Sequence, residues 1–312
     1  LPCLTERRNY LNDTNDDFIM LPTVDFCFKE LMKNPEVRTA FIAALLDCPP
    51  SEVPETELLP TDLPRHYADD KLGILDVHVR MLDGRRMNLE MQMLFYEYWD
   101  ARVLFYLGKM FTEQLKEGDP YDSLKKCIHV SILNFSWFDD EDCCHTIHLF
   151  DDEKKILFSE LLEIQFLELT KLPSETPSEP VLLRWMRFFH CKNRKEFEHM
   201  AKTDKHVEIA YQELIRLSAD EKKRLAYEAR QKAIRDFNSQ VQSYREAGFR
   251  DGQLQGRQEG RLEGRKEGFQ DSIQILQLYK QGVSVKEISA ICHKTENDIE
   301  QFLLLASNAV AT

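Results

Sequence analysis

Along residues 74–94 (ILDVHVRMLDGRRMNLEMQML) apolar and polar positions alternate on either side of Asp83-Gly84. This is the pattern of two half-buried strands joined by a tight turn. Loop length sets its register. A two-residue loop would place Asp76 across from Met91 and on the opposite side of the ribbon from Glu90. A three-residue loop, Leu82-Asp83-Gly84 with the glycine left-handed, pairs Met81 with Arg85. It gathers Leu75, Val77, Val79 and Met81 on one face with Met87, Leu89, Met91 and Met93. The other face then carries Asp76, His78 and Arg80 opposite Glu90, Asn88 and Arg86. Because side chains alternate with period two, only an odd loop separates the faces this cleanly. The pattern predicts the three-residue loop.

Around this hairpin the chain reads as mixed α and β. Residues 1–20 read as a poorly ordered leader. A short helix is expected over 23–32, with Phe28, Leu31 and Met32 facing inward. Asn34-Pro35-Glu36 opens a second helix, a cap followed by proline in the first turn, which stops at Pro49-Pro50. The proline-rich, acidic segment up to residue 65 reads as a loop. An amphipathic helix follows over 98–117, and strands over 127–135, 145–150 and 161–169. Helices are then expected over 181–190, 204–217 and from 219 to about 244.

Glycine recurs at every fourth position from Gly248 to Gly268. On a helix four residues turn about 400°, so the glycines form a slowly drifting stripe. Arg257, Arg261 and Arg265 run along one flank; Glu259, Glu263 and Glu267 run along the other. Six glycines disfavour a helix by about 1 kcal/mol each, and like charges stack at i, i+4 within one chain. A flexible linker is the plain alternative, yet linkers rarely hold a strict period. In a parallel two-fold helix pair the arginine row of one copy meets the glutamate row of the other, so a homodimer through residues 246–270 is expected. Beyond it, Ser284 to Glu287 forms a capping box and Thr295 to Asp298 a further helix start. The resulting helix-turn-helix-like unit has an acidic final helix, which favours packing over DNA reading. The expected domains are therefore 1–20, 21–218, 219–270 and 271–312.

Composition is that of a globular protein, with 43% hydrophobic and 30% charged residues and no apolar run long enough for a membrane span. The leader lacks the apolar centre of a signal peptide. Eight cysteines without CxxC spacing suit reduced thiols and a cytoplasmic location. Net charge is −13, unfavourable for phosphate binding, but unevenly spread. Residues 1–150 hold 15 bases against 27 acids, while 184–205 and 222–235 are net basic. Those two stretches are the candidate phosphate-facing surfaces; solvated helix faces are the alternative.

The hairpin register places Asp76 across from Glu90, with Gln92 on the same face. Carboxylates so placed repel, unless solvated on a wet face or bridged by a divalent cation; oxygen donors suit Mg²⁺ or Mn²⁺. Arg102 and Tyr106 share a helix face at i, i+4. Cys143, Cys144, His145 and His148 are possible zinc ligands, but adjacent cysteines in a strand point to opposite faces.

Asp76 followed by Glu90-Met91-Gln92 resembles the PD-(D/E)XK nuclease core, an acid on one strand and (D/E)xK on the next, with Gln92 where that superfamily usually carries lysine. The wider match is to the Rpn family of recombination-promoting nucleases, transposases of that superfamily. It rests on Thr23-Val24-Asp25-Phe26-Cys27-Phe28-Lys29, on Glu90-Met91-Gln92, on Arg102 with Tyr106, and on Tyr121 to Leu124 leading into strand 127–135. The resemblance covers roughly residues 20–245. It implies an α/β fold, a mixed central sheet flanked by helices, with an all-α C-terminal tail. It also implies an Mg²⁺-dependent deoxyribonuclease linked to DNA recombination or mobile elements. Asp76, Glu90 and the Met91 carbonyl would hold Mg²⁺ or Mn²⁺. Gln92 would orient the attacking water, and Asp25 would serve as a further ligand or, alternatively, a helix cap. Arg102 and Tyr106 would face the DNA, or Arg102 would form a structural carboxylate pair. A catalytically degenerate fold kept as a dimeric DNA- or protein-binding module is the competing reading.

Overall fold

A computed structural model describes residues 18–63 and 73–310. Two compact units divide the chain, Leu1–Ala233 and Ile234–Thr312. The expected leader falls almost wholly outside the described residues. In the first unit, α1 (Asp25–Met32) buries Cys27, Phe28, Leu31 and Met32. α2 (Pro35–Leu45) starts where the sequence predicts, with the Asn34 side chain accepting from the amides of Glu36 and Val37.

The sheet is built on the hairpin of β4 (Val77–Met81) and β5 (Arg86–Gln92). Its register pairs Val77 with Leu89 and Arg80 with Arg86. Met81 N–H donates to the Arg85 carbonyl, and Gly84 sits at φ +92°. This is the three-residue loop, with glycine in the conformation that side chains avoid. Parallel to β5 run β6 (Cys127–Leu133) and, next to it, β8 (Leu157–Glu168). β7 (Cys144–Phe150) pairs antiparallel with β8 and closes that edge. On the other edge lies β1 (Thr56–Leu58), antiparallel to β4. The strand order is β1-β4-β5-β6-β8-β7, a mixed six-stranded sheet.

β1 corrects the expected loop over 50–65. It is three residues long, mostly exposed, and held by backbone bonds to the open edge of β4. Such a strand needs no apolar alternation of its own, so the pattern could not reveal it. A two-stranded ribbon of β2 (Asp62–Leu63) and β3 (Gly73–Ile74) lies beside it. β8 also begins four residues earlier than expected.

α3 (Trp99–Thr112) covers the sheet face that carries Asn88, Glu90, His129, Ser131, Leu133, Ile164 and Phe166. The middle of the hairpin's polar face is buried, with His78 4% exposed, Asn88 0% and Glu90 1%, while Arg80 at its turn end stays exposed. This rules out the wet-face reading of Glu90. The opposite face, with Met87, Leu89, Met91, Val130 and Ile132, packs under α1, with α2, α4 (Val181–His190) and α6 (Lys205–Ala219) in the same layer. Between α4 and α6 lies α5 (Arg194–Ala201), a helix in the stretch 191–203 to which the sequence reading gives no element.

α7 (Glu221–Lys280) is helical throughout the glycine tract, so the linker alternative fails. In the second unit its last turns pack with α8 (Val285–Cys292) and α9 (Glu296–Val310) around Ile275, Ile288 and Ile299. Ser284 and Glu287 form the expected capping box, and Thr295 Oγ1 accepts from the Asp298 amide. The tail is a small helical bundle with its own core.

Candidate active site

The acidic residues converge at the C-terminal ends of β5 and β6, where an α/β sheet commonly binds ligands. The chain bends at Asp76 just before β4, and its Oδ2 accepts from the Met91 amide at 3.3 Å. Oδ1 of the same carboxylate meets Lys29 Nζ of α1 at 2.9 Å. Glu90 points to the other layer, where its Oε1 accepts from Arg102 Nη2 at 2.8 Å and Nε at 3.1 Å. Two acids at one strand end thus take their cations from opposite helical layers.

Burial pushes the Glu90 carboxyl up to about 7, against the pull of Arg102, and the negative charge of Asp76 adds to the rise. That coupling is a like-charge repulsion, although Asp76 lies just outside the β4–β5 ladder, which begins at Val77, and does not face Glu90 across it. Beneath Glu90 runs a buried polar chain. Asn88 Nδ2 donates to Glu90 Oε2 at 3.3 Å and to His129 Nδ1 at 3.2 Å. Burial lowers the His129 imidazole to about 3, so it is neutral near pH 7. With Nδ1 accepting, the remaining proton lies on Nε2, which donates to Ser131 Oγ at 3.0 Å. Trp99 Nε1 donates to the same hydroxyl at 3.1 Å, fixing the first turn of α3 and so the approach of Arg102. The Arg102 guanidinium lies over the rings of Trp99 and Tyr106, at 5.5 and 5.0 Å from their centroids.

The expected site residues fare differently. Asp76, Glu90, Met91 and Arg102 come together. Tyr106 shares their helix face but is buried in a cluster with Leu75, Leu107 and Met110, beneath Arg102 rather than open to solvent. Arg102 itself forms the carboxylate pair that was the structural alternative to phosphate contact. Gln92 turns its amide nitrogen back onto the Leu94 carbonyl at 2.9 Å. Asp25 lies one turn before Lys29 and pairs with Arg230 Nε at 2.7 Å; it does not cap α1, whose cap position is Val24. The charge of Asp76 also reaches Arg230, placing this pair beside the site.

Sequence reasoning assigned no role to Lys29, Asn88, His129, Ser131, Trp99 and Arg230. His129 and Ser131 are the polar interruptions, two apart, of an otherwise apolar strand, and Lys29 closes the motif that begins at Thr23. Arg230 falls within the net-basic stretch 222–235, but nothing local names its partner Asp25, 205 residues away.

Among the described residues no three or more His, Cys, Asp or Glu side chains are arranged to hold a metal. Cys143 and Cys144 have their sulfurs 3.7 Å apart, but His145 bonds Asp140 and His148 bonds Glu163. These four do not converge on one point. A cation at the strand ends would have two carboxylates and a main-chain carbonyl. That donor set fits Mg²⁺ or Mn²⁺, which retain several waters, and not a closed zinc site.

No helix among the described residues is long and apolar enough to cross a membrane. No curated protein and no solved structure matches the chain. The family model described as PD-(D/E)XK nuclease family transposase matches residues 22–244, from the residues before α1 to the middle of α7. That span contains the mixed sheet, both acids, Lys29, Arg102 and Arg230, and the chain belongs to this PD-(D/E)XK nuclease family.

Proposed function

We propose that the protein is a metal-dependent DNA endonuclease that hydrolyses phosphodiester bonds in the service of recombination or mobile elements. One observation carries this reading: two acids stand at the same strand ends, Asp76 on the Met91 amide and Glu90 on Arg102, and the charge of Asp76 adds to the rise of the Glu90 carboxyl. Folding tolerates such repulsion at functional sites more readily than elsewhere. Mg²⁺ or Mn²⁺, held by Asp76, Glu90 and the Met91 carbonyl, would supply Lewis-acid stabilisation of charge on the phosphate. The chain's own part is to aim the two acids. The Met91 amide orients Asp76, and the Asn88–His129–Ser131–Trp99 chain fixes Glu90 and the helix that bears Arg102.

The test is plasmid nicking by the full chain with Mg²⁺, Mn²⁺ or Ca²⁺, beside Asp76→Ala and Glu90→Ala. Cleavage with Mg²⁺ or Mn²⁺ that both substitutions remove supports the reading. The degenerate binding module has its own support: both carboxylates already hold a cation of the chain, and Gln92 is neutral. Absence of cleavage, together with DNA or partner binding that Glu90→Ala leaves intact, selects that module.

The reading includes a homodimer through residues 246–270. A β-carbon added at any of the six glycines would meet nothing within 4 Å, so no neighbour among the described residues accounts for their spacing. A parallel partner helix approaching along the stripe does. Light scattering of the intact chain and of one lacking 246–270 decides it; a monomer in both cases ends the idea.

A further inference from the structure

The third position of the nuclease motif is the point at which this chain departs from the pattern that Asp76 and Glu90 keep. Gln92 carries no charge, and its amide nitrogen is committed to the Leu94 carbonyl. A phosphoryl-transfer site gains rate from a fixed positive charge beside the reacting phosphate. Several bases surround the site. Arg102 is held on Glu90 through two nitrogens. Arg230 is held on Asp25 at 2.7 Å. Lys33 and Lys223 both meet Glu30, the other acid of α1. Lys29 is paired as well, its Nζ 2.9 Å from Asp76 Oδ1, but by a single contact where Arg102 makes two. Its partner is a carboxylate that the nuclease reading gives to the metal, a role that Asp25 and Glu30, the partners of the other three bases, do not have there.

We propose that Lys29 supplies from α1 the cation that Gln92 does not supply from β5, contacting the scissile phosphate and the attacking water beside Asp76. The inference rests on the nuclease reading and specifies a residue within it. Three features support it. Cys27, Phe28, Leu31 and Met32 are fully buried around Lys29, so the helix that bears it is a rigid mount. The Lys29 side chain is 34% exposed against 18% for Asp76, so it stands on the open side of the pair. An ion pair so exposed adds little to stability, leaving folding no strong need for a lysine there.

In the step itself the water oxygen bonds to phosphorus while one ester P–O bond breaks. The bonding pair leaves on the alcohol oxygen, where the water's proton finally resides. Lys29 donates N–H bonds to a non-bridging oxygen and to the water, and neither gains nor loses a proton overall. It lowers the barrier by charge and orientation.

The test compares the full chain with Lys29→Met, Lys29→Arg, Gln92→Lys and the Lys29→Met/Gln92→Lys double variant. Plasmid nicking is followed at saturating Mn²⁺, and the Mn²⁺-dependent thermal shift of each protein is recorded. We expect Lys29→Met to lower kcat by about 10²–10³-fold with KM changed by less than about threefold. Its Mn²⁺ shift should persist, because Asp76 and Glu90 remain. Lys29→Arg should keep part of the activity, and the double variant should regain at least about tenfold over Lys29→Met by restoring a lysine at the motif position. Unchanged cleavage by Lys29→Met in an active parent overturns the inference and leaves the nuclease reading standing. So does lost cleavage accompanied by a lost Mn²⁺ shift and no recovery in the double variant, which is how a merely structural lysine behaves. A parent that cuts nothing overturns both.

Discussion

At the strand ends of the first unit each acid faces a base from another element: Asp76 with Lys29, Glu90 with Arg102, Asp25 with Arg230, Glu30 with Lys223. The glycine tract of α7 shows the reverse. Its arginines and glutamates stand exposed, in rows of like charge one turn apart. In the first region charge is matched across the fold and one carboxyl is buried at a cost. In the second the rows meet no ion-pair partner among the described residues. On the reading proposed above, cross-element pairing marks a site built within one copy, and the single-sign rows would be matched by a second.

The largest effect is expected at Glu90. Its folded-state pKa, near 7, lies above the ordinary carboxyl value of 4.5. Below about pH 4.5 both folded and unfolded forms carry the proton, and the group does not affect stability. Between 4.5 and 7 the unfolded chain ionises first, so stability falls as pH rises, and above 7 the whole penalty persists. Glu90→Gln removes the ionisation. It should raise stability at pH 8 by about 1–3 kcal/mol while lowering cleavage on the order of 10³-fold. Thermal melting at pH 8 beside nicking rates checks both signs. A destabilised Gln variant would mean that the Arg102 pair outweighs the burial of the carboxylate.

Next comes the tract. A parallel pair sets three arginines of each copy against three glutamates of the other. Exposed pairs are worth about 0.3–0.5 kcal/mol each, so the six together contribute roughly 2–3 kcal/mol. Reversing Arg257, Arg261 and Arg265 to glutamate should weaken the dimer by about 30–100-fold or more. Adding the reciprocal change of Glu259, Glu263 and Glu267 to arginine should restore it. Sedimentation at low and high salt reads the result; an assembly indifferent to both sets of changes is not held by these rows.

Metal affinity should depend on pH through the same carboxyl. A cation competes with the proton on Glu90, so below about pH 7 Mn²⁺ affinity should drop by about tenfold per unit and level off above it. Titration calorimetry at pH 5.5, 6.5 and 7.5 measures this. A flat profile removes Glu90 from the ligand set.

What could be read in advance followed from local period. The hairpin register, the Asn34 cap and the Ser284 capping box are written in residues within a few positions of one another. The expected common face for Asp76 and Glu90 is not kept: the chain bends at Asp76, whose carboxylate meets Lys29 of α1, while Glu90 meets Arg102 of α3. The burial of Glu90 was not legible, because it depends on α3 folding back over the sheet, and alternation reports two faces without saying what covers the polar one. β1 was illegible for a related reason: its pairing partner, not its own side chains, makes it a strand. Lys29 lay in view inside a recognisable motif, but its closeness to Asp76 comes from helix-on-sheet packing across 47 positions of chain. Arg230, farther still, shows why a charge count over a basic stretch says little until its pairs are known.

The smallest effect tests the tract most sharply. Alanine favours an exposed helix over glycine by about 1 kcal/mol, and the open space at each glycine accepts its methyl within one chain. In a dilute monomer every Gly→Ala change along 248–268 should therefore increase helicity alike. A partner helix breaks that equivalence, because the stripe drifts by about 40° per step. Close to its centre, Gly256 and Gly260 would face the partner, while Gly248 and Gly268 swing about 100° away. Gly260→Ala should then weaken the dimer by about fivefold, the methyl holding the helices apart, whereas Gly248→Ala should leave affinity unchanged or slightly raised. Equal effects at both positions would show that glycine serves the helix's own conformation and not a contact, and the exposed charge rows would need another explanation.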